Sequence, residues 1–192
     1  MKLALEFTGL SFKACAKKID ELCGVVKEQA PKAKVIPMDR LLRLSKGLVQ
    51  VTEGDPVSRY LINRGLKTPV KYLRLHPSLP YWDAGEMLGR FPAMVGAYRD
   101  PEGRVGTFHV TYLTPDGYKA DVPAQKKVIS SMAKGGAIRL TDPQEVMGIA
   151  EGIETAIAAR ILKGIPTWAA VNATALANFE PPAECKKLFV FG

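Results

Sequence analysis

The spacing of apolar residues changes several times along this chain, and each change marks a predicted element. Phe12, Cys15, Ala16, Ile19 and Leu22 recur at helical intervals, which predicts an amphipathic helix over residues 11–22, stopped by Gly24. Residues 27–37, rich in Lys and Pro, read as a linker. Residues 38–48 predict a short helix carrying Leu41, Leu42 and Leu44. A better-marked helix follows, with Asp55 as its cap, Pro56 at its first position, Tyr60, Leu61 and Ile62 inside it and Gly65 at its end. Residues 71–75 alternate as a strand does, whereas residues 76–91, with Pro77, Pro80, Gly85 and Gly89, read as an ordered loop.

A meander comes next. Strands over 93–98 and 105–113 flank the turn Asp100-Pro101-Glu102-Gly103, and Thr114-Pro115-Asp116-Gly117 turns the chain again. Shorter strands are expected around 126–130 and 137–140. From Glu145 the order becomes strand, helix, strand, helix, strand, over 145–150, 152–162, 167–171, 173–177 and 187–191, which implies a parallel sheet with crossovers. The expected fold is therefore α/β and α+β: an N-terminal helix (1–28), a basic mixed α/β subdomain with antiparallel strands (29–141), and a partial parallel sheet (142–192).

Composition narrows the class. Hydrophobic content of 47% with 24% charged residues is ordinary for a globular chain. No apolar run approaches the ~20 residues of a membrane-spanning helix, and Glu6 interrupts the start where a signal peptide needs apolar residues. The expectation is a cytoplasmic protein without a membrane partner. Cys15, Cys23 and Cys185 are odd in number and lack CxxC spacing, which points to reduced thiols, with no disulfide framework and no zinc site. Residues 1–75 carry 15 Lys and Arg against 7 Asp and Glu, while residues 142–192 carry 4 against 6. A basic front and an acidic back suit a protein that grips phosphates with one part and places carboxylates in another. A solvated basic surface is the plainer alternative.

The strand–helix junction at Glu151-Gly152 carries the most chemistry. A carboxylate there lies at the carboxyl end of a parallel strand, where open α/β sheets bind ligands. Glu154 falls in the first helical turn, where the macrodipole favours an acid. Ordinary first-turn acids are the bland reading of both. His109, inside an apolar strand, reads as a satisfied structural histidine. Tyr81 and Trp82 read as core plugs under a Pro-rich loop in preference to base-stacking platforms. Gly135-Gly136 lacks the GxxxxGK[ST] pattern, and no nucleotide-hydrolysis motif occurs.

Val146-Met147-Gly148-Ile149-Ala150-Glu151-Gly152-Ile153-Glu154-Thr155-Ala156 resembles the opening of a toprim domain, the fold shared by bacterial-type primases, topoisomerases and some nucleases. Gly164 to Ala173 and Leu188 to Gly192 continue the match. Tyr60 to Leu66, Phe91 to Val95, His109 to Leu113, Gly117 to Ala120 and Gly136 to Leu140 are similar to the segment before toprim in phage and plasmid primases and primase–helicases. The resemblance covers roughly residues 5–192. It implies template-directed RNA primer synthesis from ribonucleoside triphosphates on a single-stranded DNA template, with a replicative helicase or fused helicase domain as partner. Carried over, Glu151 is the catalytic glutamate and, with Glu154, a ligand for Mg²⁺ or Mn²⁺. The family's Asp-x-Asp pair would follow Gly192, so residues 1–192 alone are expected to be inactive. Lys126 and Lys127 are the implied contacts to template or nucleotide, Arg64, Lys119 and Arg139 join them as candidates for phosphate contacts, and a solvated basic loop is the plainer alternative for each. Two alternatives stay open: a non-catalytic single-stranded DNA-binding module, or another toprim enzyme, a topoisomerase or nuclease.

Overall fold

The computed structural model describes residues 38–66 and 71–192. The expected helix over 11–22, the linker before residue 38, Cys15 and Cys23 lie outside them. The described residues belong to one unit, Val35–Gly192.

Local signals set the first elements. Helix α1 (Met38–Lys46) is followed by a two-residue strand, β1 (Val49–Gln50). One carboxylate builds the entry to α2 (Pro56–Asn63): Asp55 accepts from the Ser58 amide at 2.8 Å and from the Thr52 amide at 2.6 Å. One helix-start amide, that of Ser58, is thereby satisfied, with Pro56 where no donor is needed, and the Thr52 bond fixes the turn before the cap. Leu66 N–H donates to the Leu61 carbonyl at 2.8 Å and closes the C-terminus.

Residues 76–91, expected to be a loop, instead form most of a long hairpin. Strands β2 (Leu73–Asp83) and β3 (Glu86–Arg99) pair antiparallel and turn at Ala84-Gly85, both at positive φ, 45° and 90°. That two-residue geometry matches the twist of a tight hairpin, and glycine takes the second position without strain. The register shifts between His76 and Leu79, around Pro77. A one-residue shift swaps the faces of a strand. Leu73 and Leu75 accordingly pack in one core, while Leu79 and Tyr81, of the same parity, pack in the other. The broken alternation that reads as a loop is the signature of this bulge.

Strand β4 (Val105–Tyr112) pairs with β3, and β5 (Lys126–Val128) pairs with β4, all antiparallel. Strand β7 (Val146–Ala150) leads into helix α3 (Ile153–Lys163), strand β8 (Thr167–Ala169), helix α4 (Ala173–Ala177) and strand β9 (Lys187–Phe191). β7 pairs in parallel with β8 on one side and β9 on the other. The short strand β6 (Ala137–Ile138) joins the two regions, with Ile138 opposite both Tyr98 of β3 and Ala169 of β8. The result is a mixed α/β fold on one nine-stranded, mostly antiparallel sheet that runs without a break across residue 141.

Each face of the sheet has its own helices. Val57, Tyr60 and Leu61 of α2 and Ile153, Ala156 and Ile157 of α3 cover Leu73, Leu75, Met94, Tyr98, Ile138 and Ala150. Leu44 of α1 covers Leu79, Tyr81, Val95, Phe108, Val110 and Tyr112 on the opposite face. Beneath α4, Met147, Ile149 and Trp168 form a third cluster. Tyr81 is fully buried, its ring edge-on to Tyr112 at 5.0 Å between centroids and its hydroxyl accepting from the Ala124 amide at 2.9 Å. Trp82, expected beside it in the core, is 49% exposed.

The bulge predicts unequal costs for the two neighbours. Tyr81→Ala is expected to lower unfolding free energy by about 3–5 kcal/mol, as loss of a buried aromatic does, and Trp82→Ala by about 1 kcal/mol or less. Urea denaturation of both variants checks this, and the reverse order would put the register shift in the wrong place.

Candidate functional site

Strand β7 ends at Ala150, but its pairing with the β8 side continues through the backbone. The Ala170 amide donates to the Ala150 carbonyl at 2.8 Å, and the Val171 amide to the Glu151 carbonyl at 2.7 Å. Glu151 is thus held by its main chain while its side chain is exposed. Gly152 caps α3 with no side chain to contribute, and its carbonyl accepts from the Ala156 amide at 3.0 Å. Val171 sits at φ 83°, a left-handed conformation that costs a β-branched residue about 1–3 kcal/mol and that clusters at functional sites.

Glu154, three residues further on, lives in a different environment. The Tyr60 hydroxyl of α2 donates to Oε1 at 2.6 Å. Lys126 Nζ of β5 donates to Oε2 at 3.1 Å and lies 3.0 Å from Oε1. Burial alone would raise the carboxyl pKa. The Tyr60 hydrogen bond, the carboxylate's own main-chain amide and the Lys126 ammonium together outweigh burial and hold the pKa down at about 2. The Tyr60 phenol moves the other way, raised by burial and then by its bond to Glu154.

His109 of β4 belongs to the same polar group. It is buried, and burial followed by the Lys126 charge pushes its pKa down to about 4, against the pull of Glu154. Its Nδ1 and the nearby Thr111 Oγ1 have no hydrogen-bond partner among the described residues. The histidine expected to be satisfied is therefore neutral, with its Nδ1 unpartnered among the described residues.

Adjacent lysines in a strand point to opposite faces, and β5 separates the pair that looks like one patch in the sequence. Lys126, opposite Thr111, reaches Glu154. Lys127, opposite Val110, lies 3.7 Å from the centroid of the Tyr81 ring and donates to the Trp82 carbonyl at 2.6 Å. Arg139 is also engaged internally: it donates to the Asp100 and Pro101 carbonyls at 3.0 and 2.9 Å and stacks 4.8 Å over Trp168. Arg64, 5.9 Å from the Tyr60 ring, and Lys119 are exposed. Their segments meet where Asn63 Nδ2 donates to the Gly117 carbonyl at 3.2 Å. The structure thus brings Lys126 to Glu154 and sets Arg64 and Lys119 on neighbouring segments, while Lys127 and Arg139 go elsewhere.

Tyr60, expected inside the helix that Gly65 ends and not as a site residue, is the member that the sequence pattern does not single out. Its one signal was chemical, since a tyrosine on a buried helix face needs a partner for its hydroxyl.

Glu151 and Glu154 do not fit a Mg²⁺ or Mn²⁺ site as a pair. Both oxygens of Glu154 are taken by a phenol and an ammonium, and a cation there would face Lys126. Among the described residues no group of three or more His, Cys, Asp and Glu could hold a metal ion. No helix among them is long and apolar enough to cross a membrane.

Residues 37–140 match the family model described as "Domain of unknown function (DUF7146)", which spans more than half of the chain. No curated protein matches the sequence.

Acid should lower the stability of the fold across two pH windows. His109 and Glu154 both have folded pKa values below their ordinary ones, so each stabilises the fold above its ordinary pKa and loses that contribution as pH falls. For His109 the window runs from 6.5 down to about 4, and for Glu154 from 4.5 down to about 2. The Glu154 contribution is on the order of 3 kcal/mol. Thermal melts between pH 8 and 2.5 should show Tm falling through both windows. His109→Gln should flatten the upper window and Glu154→Gln the lower one. A Tm constant from pH 7 to pH 4 would contradict a buried neutral His109.

Proposed function

We propose that this chain, which belongs to the DUF7146 family, forms the glutamate-bearing part of a primase-type nucleotidyltransferase that makes RNA primers on single-stranded DNA. The observation that carries the reading is the position of Glu151. It is an exposed carboxylate at the carboxyl end of β7, the middle strand of the parallel trio β8–β7–β9, fixed by its main chain beside the strained Val171. Ligands of open α/β sheets bind at such strand ends. The likeness of residues 146–156 to the start of a toprim domain supports the same assignment.

In this reaction the 3′-hydroxyl of the growing primer attacks the α-phosphorus of a ribonucleoside triphosphate. The new O–P bond forms as the bond to pyrophosphate breaks, and Glu151 takes the hydroxyl proton as general base. Glu154 plays no direct part. It fixes the first turn of α3 through Tyr60 and Lys126, and so positions the loop that carries Glu151. The basic residues before residue 76 supply affinity for a strand of any sequence through its phosphates.

A second reading, a single-stranded DNA-binding module without synthesis, is favoured by one observation. Lys126 and Glu154 neutralise each other, which leaves Glu151 as a lone free carboxylate at the junction.

The test is primer synthesis by the full gene product on a single-stranded template with ribonucleoside triphosphates and Mg²⁺ or Mn²⁺. Glu151→Gln is expected to lower the rate by about 100-fold or more, within the range for loss of a general base, and to leave strand affinity unchanged within about twofold. Strand binding without synthesis by the unaltered protein would replace the primase reading with the binding module.

A further inference from the structure

A cavity of about 320 Å³ lies between α1 and the sheet face that α1 covers, away from the Glu154 cluster. Buried Leu44 anchors the helix there against the cluster that contains Leu79 and Tyr112. Arg40 and Arg43 are three residues apart on the helix, so both reach the same side, and both line the cavity. The facing wall is made by His76, Pro80, Trp82 and Tyr112. None of the residues lining the cavity is a carboxylate.

The polar groups of this wall are engaged within the fold, the Tyr112 hydroxyl donating to the Pro80 carbonyl at 3.3 Å. His76 Nδ1 accepts from the Ser78 amide at 3.2 Å, which leaves Nε2 as the protonated nitrogen. Burial, then the Arg90 charge, lowers the His76 pKa, and the Nε2 edge of the ring lies against Gly47, so the imidazole contributes packing surface to the wall. The ring packs so closely on Gly47 that a β-carbon there would overlap it. Glycine at this position is what gives the imidazole its place under the helix end. Trp82 is half-exposed, an unusual position for the largest aromatic side chain unless something covers it.

Two guanidinium groups and an aromatic wall without acids together specify an anionic ligand with a flat face. The volume suits one small molecule of that kind. We infer that this cavity binds one phosphorylated nucleoside, with its phosphate on Arg40 and Arg43 and its base against Trp82. Arginine pairs recognise phosphate oxygens in this way, and base–aromatic stacking contributes about 1–3 kcal/mol. A free nucleotide and a nucleotide unit within a single strand share this chemistry. The inference goes beyond the proposed synthesis and does not depend on Glu151.

Tryptophan fluorescence of the full chain reads the site directly, because Trp82 is half-exposed whereas the other tryptophan, Trp168, is 2% exposed. Titration with adenosine monophosphate and with a single-stranded oligodeoxynucleotide is expected to give saturable quenching by at least one of them. Trp82→Phe should abolish the quenching. The double variant Arg40→Gln with Arg43→Gln should weaken binding at least tenfold with Tm unchanged. Quenching by the mononucleotide alone assigns a free-nucleotide site, and quenching by the strand alone assigns a strand site. In the strand case the salt slope of log K should shrink by about 0.7 in the double variant, since the two arginines share one phosphate and each phosphate contact contributes about 0.7. No saturable quenching by either ligand, or quenching that the double variant leaves intact, would overturn the inference. Loss of synthesis by Glu151→Gln with quenching retained would separate this site from the proposed reaction.

Discussion

The carboxylate of Glu154 ties together three segments that are far apart in sequence. Its partner Tyr60 is 94 residues away and Lys126 is 28 residues away. Through these two bonds the first turn of α3 is fastened to α2 and to β5, and therefore to the antiparallel part of the sheet. The geometry of the Glu151 loop follows, because α3 begins only one residue after Gly152. In a partly buried setting the loss of one partner leaves the other charge uncompensated, which makes such a tie sensitive to single changes. Strand β6 gives the same two regions a backbone connection, but it contributes only Ala137 and Ile138. The side-chain tie and the short strand together explain why the antiparallel and parallel parts share one sheet.

Two glutamates three residues apart therefore do different work because their surroundings differ. Glu151 ends a strand, keeps its side chain in solvent and is held by its carbonyl. Glu154 is drawn between a phenol and an ammonium, and its charge is used up there. The separation of Lys126 from Lys127 has the same origin, since strand alternation sends one lysine to the carboxylate and the other over the Tyr81 ring. Charge counted along the chain treats each pair as one patch, whereas the pleat and the helix turn assign each member its own role.

Much of the fold could be read from local chemistry. Asp55, Pro56 and Gly65 bound α2 because capping is a short-range effect, and the strand–helix alternation after Glu145 matches β7 through β9 element by element. The hairpin at residues 73–99 escaped because a bulge near Pro77 breaks the period-2 signal on which strand reading depends. Glu151 was visible because a strand–glycine–helix junction is local. The tie at Glu154 was not, since nothing within a few residues of Tyr60 or Lys126 points to a partner so far along the chain. The cavity beside Trp82 was hidden for the same reason: Arg40, His76 and Trp82 converge only once α1 docks on the bulged strand.

The central claim, that the Tyr60–Glu154 contact fastens the Glu151 loop to the rest of the sheet, is tested most directly by a double-mutant cycle. Urea unfolding would be measured for the unaltered protein, Tyr60→Phe, Glu154→Gln and the double variant. A coupling energy of about 1–3 kcal/mol, the range for groups in direct contact, is the predicted result. Additivity within about 0.5 kcal/mol would show the two side chains acting independently and would contradict the account.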